Sequence, residues 1–104
     1  MKIKDRHIGL SHKPVIVAEM SGNHNQSLER ALQIAEASAN AGVHLLKLQT
    51  YTPDTITLDV EEGEFVISDP ESLWKNRSLY SLYKEACTPW EWQKKIMKHA
   101  NKLG

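Results

Sequence analysis

The stretch Val15-Ile-Val-Ala-Glu-Met-Ser-Gly-Asn-His-Asn25, followed one helix-length later by Val43-His-Leu-Leu-Lys-Leu-Gln-Thr-Tyr51, decides the fold. Val15 to Ala18 is a short apolar run rich in β-branched side chains, as expected of a strand buried on both faces. From Leu28 the apolar positions fall at Leu28, Ala31, Leu32, Ala35 and Ala39, a helical stripe whose small alanines suit close packing on a sheet. Asn25 or Ser27 is placed to cap that helix, and Gly42 to stop it. Val43 to Leu48 then reads as a second strand. A helix that returns the chain makes the two strands parallel neighbours with a right-handed crossover. Both strands run directly into polar residues, and parallel α/β folds place their active sites at such strand ends. Glu19 and Lys47 are therefore expected to face one crevice.

Glu19 follows four apolar residues, at the mouth of a low-dielectric interior. A carboxylate there can hold substrate hydroxyls, act as a base or support a metal. The plainer alternative is a structural carboxylate paired with a neighbouring strand-end cation. Lys47 interrupts an apolar strand, and a buried unpaired charge is so costly that this lysine is expected to be paired or to reach a pocket. Its compact ammonium suits a phosphate or carboxylate ligand. A salt bridge to Glu19 is the structural alternative, and both hold together in an empty site. Gln49 and Thr50 extend the polar rim as further donors to the same anion.

Asn23, His24 and Asn25 are ambiguous, with Asn23 counted among the substrate-binding candidates and loop ordering an equal role for Asn25. The five histidines show no metal-ligand spacing. His44 reads as a satisfied core histidine. Trp74, Tyr80, Tyr83, Trp90 and Trp92 are candidates to cover the mouth of the site or to wall a sugar pocket, with core packing favoured for Trp90 and Trp92. Cys87 has no partner to activate it.

The remaining segments are less informative. Lys2 to Leu10 alternates weakly, as a short hairpin or lead-in strand would, and Ser11 to Pro14 is a turn. Residues 52–78 are irregular, broken by Pro53, Gly63 and Pro70, which suggests a functional or disordered loop. Thr55 to Leu58 and Phe65 to Ile67 are strand-like pieces within it. Leu79 to Ala86 fits a short helix. Thr88-Pro-Trp-Glu91 reads as the start of another, with Thr88 as N-cap and Pro89 at the first helical position, running to about Lys102.

Thirteen basic and thirteen acidic residues cancel, with no cationic block to bind nucleic acid or a membrane surface. No apolar stretch is long enough to span a bilayer, and the N-terminus lacks the apolar centre of a signal peptide. The single cysteine excludes an internal disulfide and fits the cytoplasm. A hydrophobic fraction of 40% argues for a globular protein. Two core strands cannot cover both faces of a parallel sheet, so the chain reads as the front portion of a larger α/β protein. The alternative is a self-contained small α+β domain.

The run Ile16 to Asn25, the Ala41-Gly42 pair and Lys47-Leu-Gln-Thr-Tyr-Thr-Pro-Asp54 together resemble the start of the sialic acid synthase family. Ser72-Leu-Trp74, Leu79-Tyr-Ser-Leu-Tyr83 and Thr88-Pro-Trp-Glu-Trp92 resemble its pseudaminic acid branch in particular. The likeness spans nearly all 104 residues. It implies a (β/α)₈ TIM barrel, of which residues 1–104 would be the N-terminal portion. That portion would hold the first two core strands, the first helices and a long active-site loop. The rest of the barrel and an antifreeze-like domain would lie outside it, and the isolated piece would be inactive.

The implied reaction condenses phosphoenolpyruvate with a 6-deoxy-2,4-diacetamido hexose to give a nonulosonic acid and phosphate. The family takes a divalent metal (Mn2+, Mg2+ or Co2+) whose ligands would lie outside this chain, and is a homodimer when full length. Glu19 matches the strand-one glutamate that contacts the sugar, a catalytic and substrate-binding role. Lys47 matches the strand-two lysine that binds phosphoenolpyruvate. Asn76 lies near the place of a sugar-binding asparagine. Sibling branches make N-acetylneuraminic acid, legionaminic acid or spore-coat polysaccharide precursors. From another class, a non-catalytic sugar-binding module would keep the same first βα units.

Overall fold

A computed structural model describes residues 1–104. The weak alternation at its start closes a minimal antiparallel hairpin of β1 (Lys2–Ile3) and β2 (Arg6–His7), with Lys2 opposite His7 and Ile3 opposite Arg6. Main-chain bonds between Met1 and Ile8 clasp its ends.

The centre of the molecule is β3 (Val17–Glu19), α1 (Leu28–Asn40) and β4 (Leu45–Lys47), and the two strands pair in parallel. Register sets Val17 opposite Leu45, Ala18 opposite Leu46 and Glu19 opposite Lys47. Of the two caps open to α1, Ser27 is the one used: its backbone is extended and its hydroxyl accepts the Arg30 N–H. The helix ends at Gly42, whose φ of 76° is the left-handed conformation that disfavours a side chain. There the Gly42 N–H donates to the Ala39 carbonyl and the Val43 N–H to that of Ser38, the paired bonds of a Schellman stop.

Burial of β3 departs from expectation. Ile16 and Val17 are 50% and 45% exposed rather than covered on both faces. A two-stranded sheet has two free edges, and the helices packed on it shield only part of its surface. The core is small: Met20, Ala31 and Ile96, with Leu28, Leu32, Leu46, Leu48 and Trp92 packed around them. Only seven of 104 residues are buried. The radius of gyration is 16.7 Å, where a compact chain of this length has about 13 Å.

The long connection is ordered by turns rather than strands. Pro53–Thr55 and Gly63–Phe65 are single 3₁₀ turns, and Thr55 to Leu58 is not a strand. Pro53 presets the first turn and the Thr55 hydroxyl donates to the Thr52 carbonyl, so this segment satisfies itself locally. Farther on, Val66 makes one isolated antiparallel bridge with Ser78. α2 (Leu79–Ala86) is capped by the Ser78 hydroxyl. α3 (Gln93–Leu103) packs on α1, but it starts later than expected, after a 3₁₀ turn over Trp90–Trp92. Thr88 is not its cap. That side chain is fully buried and its hydroxyl is engaged elsewhere.

Candidate functional site

Glu19 and Lys47 are the last residues of their strands, and directly paired residues on neighbouring strands project to the same face of the sheet. Their head groups meet, Lys47 Nζ to Glu19 Oε1, at 2.8 Å. Lys47 is thus paired, the structural alternative open to it, and both side chains are about half exposed, at 54% and 50%. The reason is again the free sheet edge. A pair in that setting is worth about 0–1 kcal/mol, so a charged ligand can replace either partner at little cost. The Met20 N–H donates to the Lys47 carbonyl at 3.0 Å and extends the ladder one step beyond the pair.

The polar loop after β3 is ordered by its own side chains. The Asn23 amide donates to the Met20 carbonyl at 3.0 Å. The Asn25 N–H donates to the carbonyl of Gly22. His24 is fully buried and stands edge-on to Trp92, with ring centroids 5.4 Å apart. Its Nδ1 accepts the Gln26 N–H at 3.1 Å, which leaves the ring hydrogen on Nε2, facing Thr88 Oγ1 at 3.3 Å. Burial holds the His24 pKa below its ordinary value.

Gln49 lines a hollow of about 290 Å³, together with Ser21, Gly22, Tyr51, Trp74 and Tyr83. Tyr51 and Tyr83 meet edge-to-face at 6.0 Å. Burial raises the Tyr51 pKa, with lesser contributions from Cys87 and Tyr83. Glu19 and Lys47 are not part of its lining, so the ion pair is not enclosed by it. Thr50 stands apart from the rim: its Oγ1 is buried with no hydrogen-bond partner. Asn76 is exposed on a turn with φ of 65°, where its N–H donates to the Ile67 carbonyl, and does not reach the hollow. No three His, Cys, Asp or Glu side chains converge.

Among the aromatics, Trp92 packs against the core, whereas Trp90 is 62% exposed and does not. Trp90 lies in the tight turn ahead of α3, which directs it outward. His44 is half-buried, and its Nδ1 accepts the Ile16 N–H at 2.9 Å, at the opposite strand ends from the pair. Cys87 donates its thiol hydrogen to the Lys84 carbonyl.

Sequence reading missed His24 and Thr88 as partners. They are 64 residues apart, and no local periodicity connects them.

Comparison with known proteins adds an independent line. A pseudaminic acid synthase of Campylobacter jejuni subsp. jejuni serotype O:2 is 45% identical over 92 residues, covering 88% of this chain and 26% of that protein. A pseudaminic acid synthase of Helicobacter pylori is 44% identical over 90 residues, covering 86% of this chain and 26% of that protein. The chain thus spans about a quarter of the length of the curated relatives it matches. The model of the NeuB family matches residues 34–104, from the middle of α1 through β4 and α2 to the end of α3. With most of the chain inside that match, and relatives 44–45% identical over most of its length, the chain belongs to the NeuB family.

Proposed function

We propose that this chain is the N-terminal part of a pseudaminic acid synthase that condenses phosphoenolpyruvate with a 6-deoxy-2,4-diacetamido hexose, releasing phosphate. The observation that carries the reading is the Glu19–Lys47 pair, in register at the C-terminal ends of two parallel strands. Those strands would be the first two of a (β/α)₈ barrel, a fold that works from that end. The names of the relatives support the product class.

In this reading Lys47 leaves Glu19 to hold the phosphate or carboxylate of phosphoenolpyruvate as a point charge. Glu19, released from the lysine, accepts hydrogen bonds from sugar hydroxyls and fixes the aldehyde toward the nucleophilic carbon. Carbon 3 of phosphoenolpyruvate forms the new bond to the aldehyde carbon, whose oxygen takes a proton. Water adds at carbon 2, and phosphate departs with the C–O bonding pair. Gln49, two residues beyond Lys47 and lining the neighbouring hollow, supplies a further hydrogen bond at the rim. The divalent metal and the homodimer contacts would come from segments outside this chain, and a cytoplasmic location suits both substrates.

The test is product analysis by mass spectrometry on the full-length protein, offered phosphoenolpyruvate with either the diacetamido hexose or the amino sugar precursor of N-acetylneuraminate. The expected product is the diacetamido nonulosonate with one phosphate released. Turnover of the other sugar alone would assign a sibling synthase. Binding of sugar with no product from either would point to a non-catalytic module.

A further inference from the structure

The ladder between β3 and β4 stops at the Met20 N–H, and no main-chain hydrogen bond joins residues 21–27 directly to residues 48–52. The two loops are nevertheless connected, through a residue that belongs to neither. Thr88, between α2 and α3, donates its N–H to the Gln49 carbonyl at 2.8 Å. Its Oγ1 faces His24 Nε2 at 3.3 Å, and both side chains are fully buried. Since Gln26 N–H occupies His24 Nδ1, the ring can only donate at Nε2, and the Thr88 hydroxyl is the acceptor.

The surroundings reinforce this bracket. The Gln26 side-chain amide donates to the Glu85 carbonyl at 2.7 Å and to the Cys87 carbonyl at 2.8 Å. Gly22 lies so close to Ala86 that an added Cβ would sit 3.0 Å from its Cα. The loop after β3 is thus bolted to the end of α2 and to the residue that also grips the loop after β4.

We infer that Thr88 and His24 are positioning residues: they hold the loop after Glu19 at a set distance from Gln49 when a ligand takes Lys47 away from Glu19. The inference rests on the reading of the pair as a substrate site. Its physical logic is that the side-chain salt bridge exists only in the empty site, whereas the main-chain ladder persists but ends at Met20 and does not reach the loop of residues 21–27. Once Lys47 turns to an anion, the buried bracket is the tie left between the loop after Glu19 and the Gln49 side. Neither Thr88 nor His24 touches substrate.

Thr88→Val in the full-length protein keeps the main-chain N–H and the shape but removes the acceptor, and Thr88→Ser restores it. Thr88→Val is expected to lower kcat about 10- to 100-fold, as small misplacements do, with the KM for phosphoenolpyruvate changed less than about twofold because Lys47 stays on its strand. Thr88→Ser is expected to recover most of the loss. Hydrogen–deuterium exchange over residues 21–26 and 49–52 supplies a second readout that does not need turnover. Faster exchange in both segments for Thr88→Val, reversed in Thr88→Ser, supports the bracket. Unchanged exchange overturns it, whatever the activity. Faster exchange with kcat unchanged overturns the positioning role. If the wild type makes no nonulosonate at all, the proposed function fails, while the exchange comparison still decides whether the bracket exists. A Thr88→Val protein that does not fold is replaced by His24→Gln, judged by the same two readouts.

Discussion

Glu19 and Lys47 stand directly opposite each other on adjacent parallel strands, and their head groups close to 2.8 Å with about half of each side chain still in water. An exposed pair contributes little to folding, so removing one partner separates function from stability. Lys47→Ala in the full-length protein is expected to raise the KM for phosphoenolpyruvate about 10- to 100-fold, the worth of a lost charge-assisted hydrogen bond. The KM for the sugar should move far less, and the unfolding midpoint should fall by no more than about 1 kcal/mol equivalent. Steady-state kinetics with each substrate varied in turn, alongside urea unfolding, checks this. Equal changes in both KM values would remove Lys47 from the phosphate role.

Glu19→Gln keeps the shape and hydrogen-bonding reach of the side chain but removes its charge. It is expected to damage sugar use or turnover and to leave the KM for phosphoenolpyruvate near its starting value. Kinetics indistinguishable from wild type would take Glu19 out of the site.

Gly22 is present for space. An added methyl group would meet Ala86 Cα and Cβ at 3.0 Å, and helix backbone cannot swing aside as a flexible side chain does. Gly22→Ala is expected to destabilise by about 1–3 kcal/mol, the usual range for overpacking. Chemical denaturation measures it; a loss below a few tenths would mean that the loop is free to move off α2.

His24 makes stability depend on pH in a definite direction. Burial lowers its pKa in the folded protein below the ordinary 6.5. The unfolded chain therefore takes up a proton first as pH falls. The His24 contribution is fully present above about pH 6.5 and is lost as pH drops from there toward the lowered folded value. Urea midpoints measured in steps from about pH 7.5 to about pH 5 are expected to fall for the wild type and to flatten in His24→Gln. An equally steep fall in both would assign the effect to another group.

Arg77 and Glu85 form a two-point contact, with nitrogen–oxygen distances of 2.9 and 2.6 Å. The hydrogen bond from Arg77 holds the Glu85 carboxyl below its ordinary 4.5. A carboxylate with a lowered pKa stabilises the fold above its unfolded value, and this is lost as pH falls through the folded one. Carboxyl NMR titration is expected to show Glu85 titrating below its usual range and returning to it in Arg77→Gln. No change in that variant would sever the link between the two.

What was legible in the sequence was local. The strand–helix–strand order followed from periodicity and the Gly42 stop from the conformational freedom of glycine, and the short helix expected over Leu79 to Ala86 is α2. The juxtaposition of Glu19 and Lys47 followed as well, because two parallel strands that end in polar residues bring those ends together. Burial of the strands was misjudged because an apolar run records what could be covered, whereas Ile16 and Val17 are covered only if another layer is present. Thr88 met every local criterion for a helix cap, yet a buried imidazole from a distant loop took its hydroxyl instead.

By itself the amino-acid sequence determined the central strand–helix–strand unit, its parallel order and the family likeness, since each is carried by short runs of neighbouring residues. Tertiary structure alone decided that His24 is buried in one tautomer, that Gly22 presses on Ala86, and that Thr88 joins both site loops. Those contacts exist only once α2 and α3 fold back against the strand ends. A hydrogen bond between residues 64 positions apart leaves no periodic trace in either of the segments it connects.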